Sequence, residues 1–225
     1  GVRVVSGLDQ AALQGGILCG YACPRAAHLF VAFGERDGAR RWLRALVPEV
    51  TPATPWSRKP ERMLNVALSL PGLAALGVPT GTLARFPPDV REGMAARAQG
   101  LRDTGRDAPG EWEPGLDDRL AHAVVTVHVR DDDGAALREA IEAVRAAGGV
   151  RVLATEVCRV LPEGREHFGF RDGLVQPALA GDHVGPWHGL GNPGRRKPGS
   201  VASWEPSAVG EFVLGHPDED GEPPE

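Results

Sequence analysis

Apolar and polar positions switch between two periods along the chain, and the switches mark its elements. His28–Leu29–Phe30–Val31–Ala32–Phe33 is a short apolar run closed by Gly34, which predicts a buried strand. Ala39, Trp42, Leu43 and Leu46 then share one face at helical spacing, and Pro48 limits that helix. Met63–Leu64–Asn65–Val66–Ala67–Leu68 predicts a second strand. Pro71 opens a short helix carrying Leu73, Ala74 and Leu76, stopped by Gly77 and Pro79. Residues 84–119 are less regular. Pro87–Pro88–Asp89 predicts a short helix through Ala95, and a long Asp-, Gly- and Pro-rich loop around Trp112 follows. Residues 122–130 alternate again, with Val125, Val127 and Val129 set against Thr126 and His128. Asp133 is placed to cap a helix with Leu137, Ile141 and Val144 on its inner face, ended by Gly148–Gly149. Residues 150–161 predict a further strand.

The order is strand–helix–strand, an irregular insert, then strand–helix–strand. It predicts the α+β class and a ferredoxin-like sandwich, an antiparallel sheet with helices on one face. That domain is expected over residues 1–180. From Gly181 to Glu225 Gly and Pro dominate, and only Glu211–Phe212–Val213–Leu214 reads as a strand. Residues 181–225 are therefore expected to be a connecting segment toward a further domain.

Composition narrows the function classes. Of 225 residues, 42% are hydrophobic and 24% charged, which suits a folded core. The net charge of -5 and the lack of a basic face interleaved with aromatics argue against a nucleic-acid partner. The densest basic run, Arg195–Arg196–Lys197, sits among Gly and Pro and reads as a solvated loop. Cys19, Cys23 and Cys158 are an odd set, poor material for a disulfide framework and better read as buried thiols. Cys19 and Cys23 with His28 lack a fourth ligand at zinc-type spacing, so no metal ligand is assigned. No apolar run reaches membrane-spanning length and no signal peptide is visible, so the expectation is a cytoplasmic protein with no membrane partner.

Candidate chemistry concentrates in Glu166–His167–Phe168–Gly169–Phe170–Arg171–Asp172–Gly173–Leu174–Val175–Gln176–Pro177, directly after the last predicted core strand. Gly169 and Gly173 let the backbone bend and approach a ligand. Asp172, held between them beside aromatic and apolar groups, has the surroundings of a general base, because desolvation raises a carboxyl from its reference near ~3.9. On spacing alone an Asp-Gly pair is also an ordinary turn.

The motif as it stands resembles the Gly-x-x-Asp-Gly signature of the dye-decolorizing peroxidases, and further stretches agree in order. Gln14–Gly15–Gly16–Ile17–Leu18 is similar to that family's Gln-Gly-Asn-Ile-Leu, with Gly16 in place of Asn. His28–Phe33, Leu64–Ala67 and Gly72–Gly77 resemble its first strand, its second strand and the helix after it. Gly210–Glu211–Phe212–Val213–Leu214–Gly215 resembles a segment downstream of the motif, with His216 where Tyr is frequent.

The resemblance implies the first half of a dimeric α+β barrel-type peroxidase with haem b as cofactor. It implies hydrogen peroxide and a small phenolic or dye-like reductant as partners. Asp172 would be the distal acid–base group, with Gly173, Leu174 and Val175 against the haem edge. The proximal His and distal Arg would come from a second ferredoxin-like domain beyond Glu225, so neither Arg171 nor His167 takes those roles. His183, His188 and His216 read as surface residues of the tail. Trp42, Trp56, Trp112, Trp187, Trp204 and Tyr21 read first as packing residues; for passing oxidising equivalents to bulky substrates, Trp187 and Trp204, in predicted loops, are the better candidates. The alternative is a non-catalytic ferredoxin-like module for dimerisation or ligand binding. Self-association stays open, since such a domain can pair with a copy of itself.

Overall fold

A computed structural model of the chain describes residues 8–18, 20–54, 56–113, 115–117, 119–132, 134–171, 179–180 and 205–222. The chain divides into two compact units. One comprises residues 23–50 and 62–159; the other comprises residues 1–22, 51–61 and 160–225.

The first of these units is the sandwich. Its strands are β1 (Arg25–Phe33), β2 (Arg62–Leu68), β3 (Ala123–Val129) and β4 (Val150–Arg159). They form one antiparallel sheet in the order β2-β3-β1-β4. This is the ferredoxin-like arrangement that the order of elements predicts. Alternation decides which face is buried. Ala27, Leu29, Val31 and Phe33 of β1, with Ala123, Val125, Val127 and Val129 of β3, point to one side and pack against Trp42, Leu137, Ile141 and Val144. Those four belong to α2 (Arg36–Leu46) and α6 (Ala135–Ala146), which cover that face. The Asp133 expected to cap α6 lies outside the described residues. The Asp131 carboxylate accepts from the Ala136 N–H at 3.1 Å.

The insert between β2 and β3 is more helical than its sequence pattern predicts. Beyond the expected short helix α3 (Leu70–Ala75), it holds α4 (Thr80–Leu83) and a longer α5 (Pro88–Leu101). Ser69 caps α3 by accepting from the Gly72 N–H at 3.1 Å, and donates to the Ala121 carbonyl at 2.7 Å. A Cβ on Gly72 would overlap the His122 carbonyl, so α3 reaches the start of β3 only because residue 72 has no side chain. The helix α5 continues past Ala95 to Leu101, with a non-helical backbone at Gly93.

His122 ties the start of β3 to the end of β1. Its Nδ1 accepts from the Phe33 N–H at 2.8 Å, and the two rings lie 5.3 Å apart. That bond needs Nδ1 unprotonated, and burial holds the imidazole pKa below its ordinary value. The folded state then binds fewer protons than the unfolded one. The stability His122 contributes is complete above the unfolded pKa of about 6.5 and is lost as pH falls through the lowered folded value. The urea midpoint should therefore fall below pH 6.5, and less steeply in His122→Asn, whose amide oxygen can accept the same bond without titrating. An unchanged pH dependence in that variant removes His122 from the effect.

The second unit holds α1 (Gly15–Leu18) and a small cluster of Leu18, Ala53 and Leu179, with Leu8, Leu13 and Val213 against it. The strand expected at Glu211–Leu214 is absent. Val209–Glu211 is a 3-10 turn, and the Gly210 N–H donates to the Pro217 carbonyl at 3.0 Å. Phe212 and Leu214 stay exposed, because the apolar run has no neighbouring strand to pair with.

Candidate functional site

The chain leaves the end of β4 through a 3-10 turn, Pro162–Gly164, and forms a hairpin in which Arg165 pairs with Arg171 in antiparallel fashion. At its tip, Gly169 takes φ +87, a left-handed backbone that favours glycine. The Glu166 N–H donates to the Phe170 carbonyl at 2.9 Å and the Gly169 N–H to the Glu166 carbonyl at 2.9 Å. The Glu166 carboxylate accepts the other two tip amides, Phe168 N–H at 3.0 Å and Phe170 N–H at 2.9 Å. Arg165 donates to the Gly169 carbonyl at 2.8 Å and pairs with Glu163 at 3.2 Å. Phe168 and Phe170 project from this frame 87% and 74% exposed.

Asp172, Gly173, Leu174 and Val175 lie outside the described residues, as do His183, His188, Trp187, Trp204 and Cys19. The stretch holding the first four is bracketed by described structure. Before it stands the hairpin. After it, Leu179 is buried against Leu18 and Ala53 and bridges to Ser207, and the Ala180 N–H donates to the Ser207 carbonyl at 2.7 Å.

The remaining candidates are placed as follows. His167 is exposed on the hairpin. His28 shares a hydrogen bond with Thr126 Oγ1 at 3.0 Å through Nδ1. Trp42 is core, Trp56 lies 5.9 Å from the Tyr21 ring, and Trp112 donates to the Asp107 carbonyl at 2.9 Å. Cys23 is a buried free thiol, but Cys158 is exposed, because β4 is an edge strand and its far end carries no cover. Among the described residues no three His, Cys, Asp or Glu side chains converge to hold a metal, and no helix is long and apolar enough to cross a membrane.

Two features carry no sequence signal that spacing could find. The first is the Glu166 clamp, since side-chain-to-backbone turns are usually sought at Asp, Asn, Ser and Thr. The second is a polar rung on the sheet face away from α2 and α6, where Asn65, Thr126, His28 and Glu156 stand side by side across all four strands. Only the pairing register brings these four together.

No protein-family model matches the chain. It is 29% identical over 212 residues to the multifunctional dye peroxidase DyP2 of Amycolatopsis sp. (strain ATCC 39116 / 75iv2), covering 90% of this chain and 43% of that protein. Its fold matches a solved dye-decolorizing peroxidase in complex with 2,6-dimethoxyphenol with a TM-score of 0.71 at 22% identity, covering 97% of this chain and 47% of the other. It matches the dye-decolorizing peroxidase of Auricularia auricula-judae with a TM-score of 0.69 at 22% identity, covering 96% and 45%. The chain thus spans less than half the length of each. In sequence and in fold, it is similar to a portion of the dye-decolorizing peroxidases.

Proposed function

We propose that this chain supplies the distal half of a haem peroxidase site, with Asp172 as its acid–base group and hydrogen peroxide as oxidant. The single observation that carries the reading is the Glu166-clamped hairpin. It holds Gly169–Arg171, the first three residues of the Gly-x-x-Asp-Gly motif, in a chain similar to dye-decolorizing peroxidases. Two largely uncovered phenylalanines beside a carboxylate motif suit a planar, apolar cofactor edge, since leaving them in water forgoes about 1.5–3 kcal/mol of burial each. Exposed Phe168 and Phe170 suit haem on that side, and Gly173, Leu174 and Val175 are proposed at its edge.

When bound, haem b supplies the iron that takes up peroxide and the redox equivalents for its cleavage. Asp172 takes the proton from the inner peroxide oxygen and returns it to the outer one, which departs as water. One carboxylate serves as base and then as acid. The reductant is a small phenolic or dye-like aromatic. In this reading neither the proximal His nor the distal Arg is assigned to a residue of this chain. The test is haemin binding by the chain with and without imidazole in the role of that His. Imidazole-dependent binding is expected, and its absence counts against a haem site.

The exposed edge strand β4, with Val157 60% exposed, favours a second reading, a ferredoxin-like module that pairs with a copy of itself. In that reading haemin does not bind under either condition.

A further inference from the structure

One residue accepts three amides at the tip of the hairpin. Phe168 N–H and Phe170 N–H go to the two carboxylate oxygens of Glu166, and Gly169 N–H goes to its carbonyl. Packing contributes little there, because Phe168 and Phe170 are exposed. The turn is therefore held mainly by hydrogen bonds, two of them to the Glu166 carboxylate and one to its carbonyl. What the turn fixes is the start of the motif. Arg171 closes the hairpin against Arg165, and the next peptide bond leads to Asp172. A planar peptide transmits a rotation at Arg171 to the following Cα, about 3.8 Å away. Misplacing a reacting group by about 1 Å costs on the order of 100-fold in rate.

We infer that Glu166 is a positioning residue for Asp172, acting through the hairpin and not through contact with peroxide. The inference rests on the acid–base reading of Asp172 above. Glu166→Gln keeps one acceptor oxygen and turns an amide NH2 toward the second N–H; Glu166→Ala keeps neither acceptor.

Two measurements test it. In the 225-residue chain, amide hydrogen exchange followed by NMR should show Phe168 and Phe170 protected. Glu166→Gln should lose that protection at one amide and Glu166→Ala at both, by roughly 10-fold or more, with the Leu29 and Val127 amides unchanged. Unprotected amides in the parent chain overturn the clamp. In the haem-loaded protein, Glu166→Gln should slow the reaction with peroxide by about 10- to 100-fold at an unchanged Soret spectrum, and should add no slowing to Asp172→Asn. Additive effects mean that Glu166 acts elsewhere, and an unchanged rate overturns the positioning role. If Asp172→Asn alone leaves the peroxide step unchanged, the acid–base reading itself has failed. Exchange and kinetics together therefore separate the two failures.

Discussion

Asp172→Asn in the haem-loaded protein should slow the reaction with hydrogen peroxide by roughly 10²- to 10⁴-fold, the usual span of general acid–base catalysis. Haem should stay bound with its Soret band in place. Asparagine is nearly the same size and keeps the hydrogen-bonding oxygen, so binding and packing change little. What it loses is the ability to accept a proton and return it. Heterolysis requires that transfer from one peroxide oxygen to the other. Stopped-flow mixing with peroxide reads the step directly, before any reductant is consumed. A rate within a few-fold of the parent removes Asp172 from the mechanism, whatever happens to turnover. A lost Soret band assigns it to haem retention instead.

Leu29→Ala should cost about 2–5 kcal/mol of stability. Leu29 sits on β1, which has β3 on one side and β4 on the other, and its side chain is fully buried at 0% exposure. It points into the layer between the sheet and the helices α2 and α6. Alanine loses the transfer energy of the deleted carbons and leaves a cavity that central strands relax poorly to fill. Domains have about 5–15 kcal/mol in total, so the change removes a large share. Val47→Ala, at a residue 59% exposed, should stay within about 0.5 kcal/mol. Urea unfolding of both variants checks the contrast, and equal midpoints contradict the placement of the core.

The sheet was legible in the sequence because its signal is local. Val125, Val127 and Val129 alternate with Thr126 and His128, and burial along β3 follows that alternation. The inner face of α6 was equally plain, with Leu137, Ile141 and Val144 all buried. The insert was harder. Ala98 is the one buried residue of α5, so its last turns carry no apolar stripe to read, and four-residue helices such as α4 are too short for a period to emerge. The run Phe212–Val213–Leu214 misleads for the opposite reason. Its composition suits a strand, but a strand also needs a partner edge, which composition does not reveal. Cys158 is exposed on the same principle, since burial at a strand end depends on what lies beside it.

The candidate site divides in the same way. Asp172 is proposed on likeness to a family motif, because an Asp between glycines looks like any turn. Glu166 lies in that motif's approach, and its three accepted amides emerge only from the folded hairpin. The rung of Asn65, Thr126, His28 and Glu156 draws on four separate strands and exists only through their register.

On the proposal above, residues 1–225 supply the distal side of a haem site and not its axial ligand. The most direct measurement is a haemin titration of this chain followed in the Soret band, alone and with excess imidazole. No one-to-one His-ligated spectrum is expected from haemin alone, and a saturable, protein-dependent shift is expected once imidazole is present. A stoichiometric His-ligated band without imidazole would place the axial ligand inside this chain. No protein-dependent change under either condition would take haem out of the account.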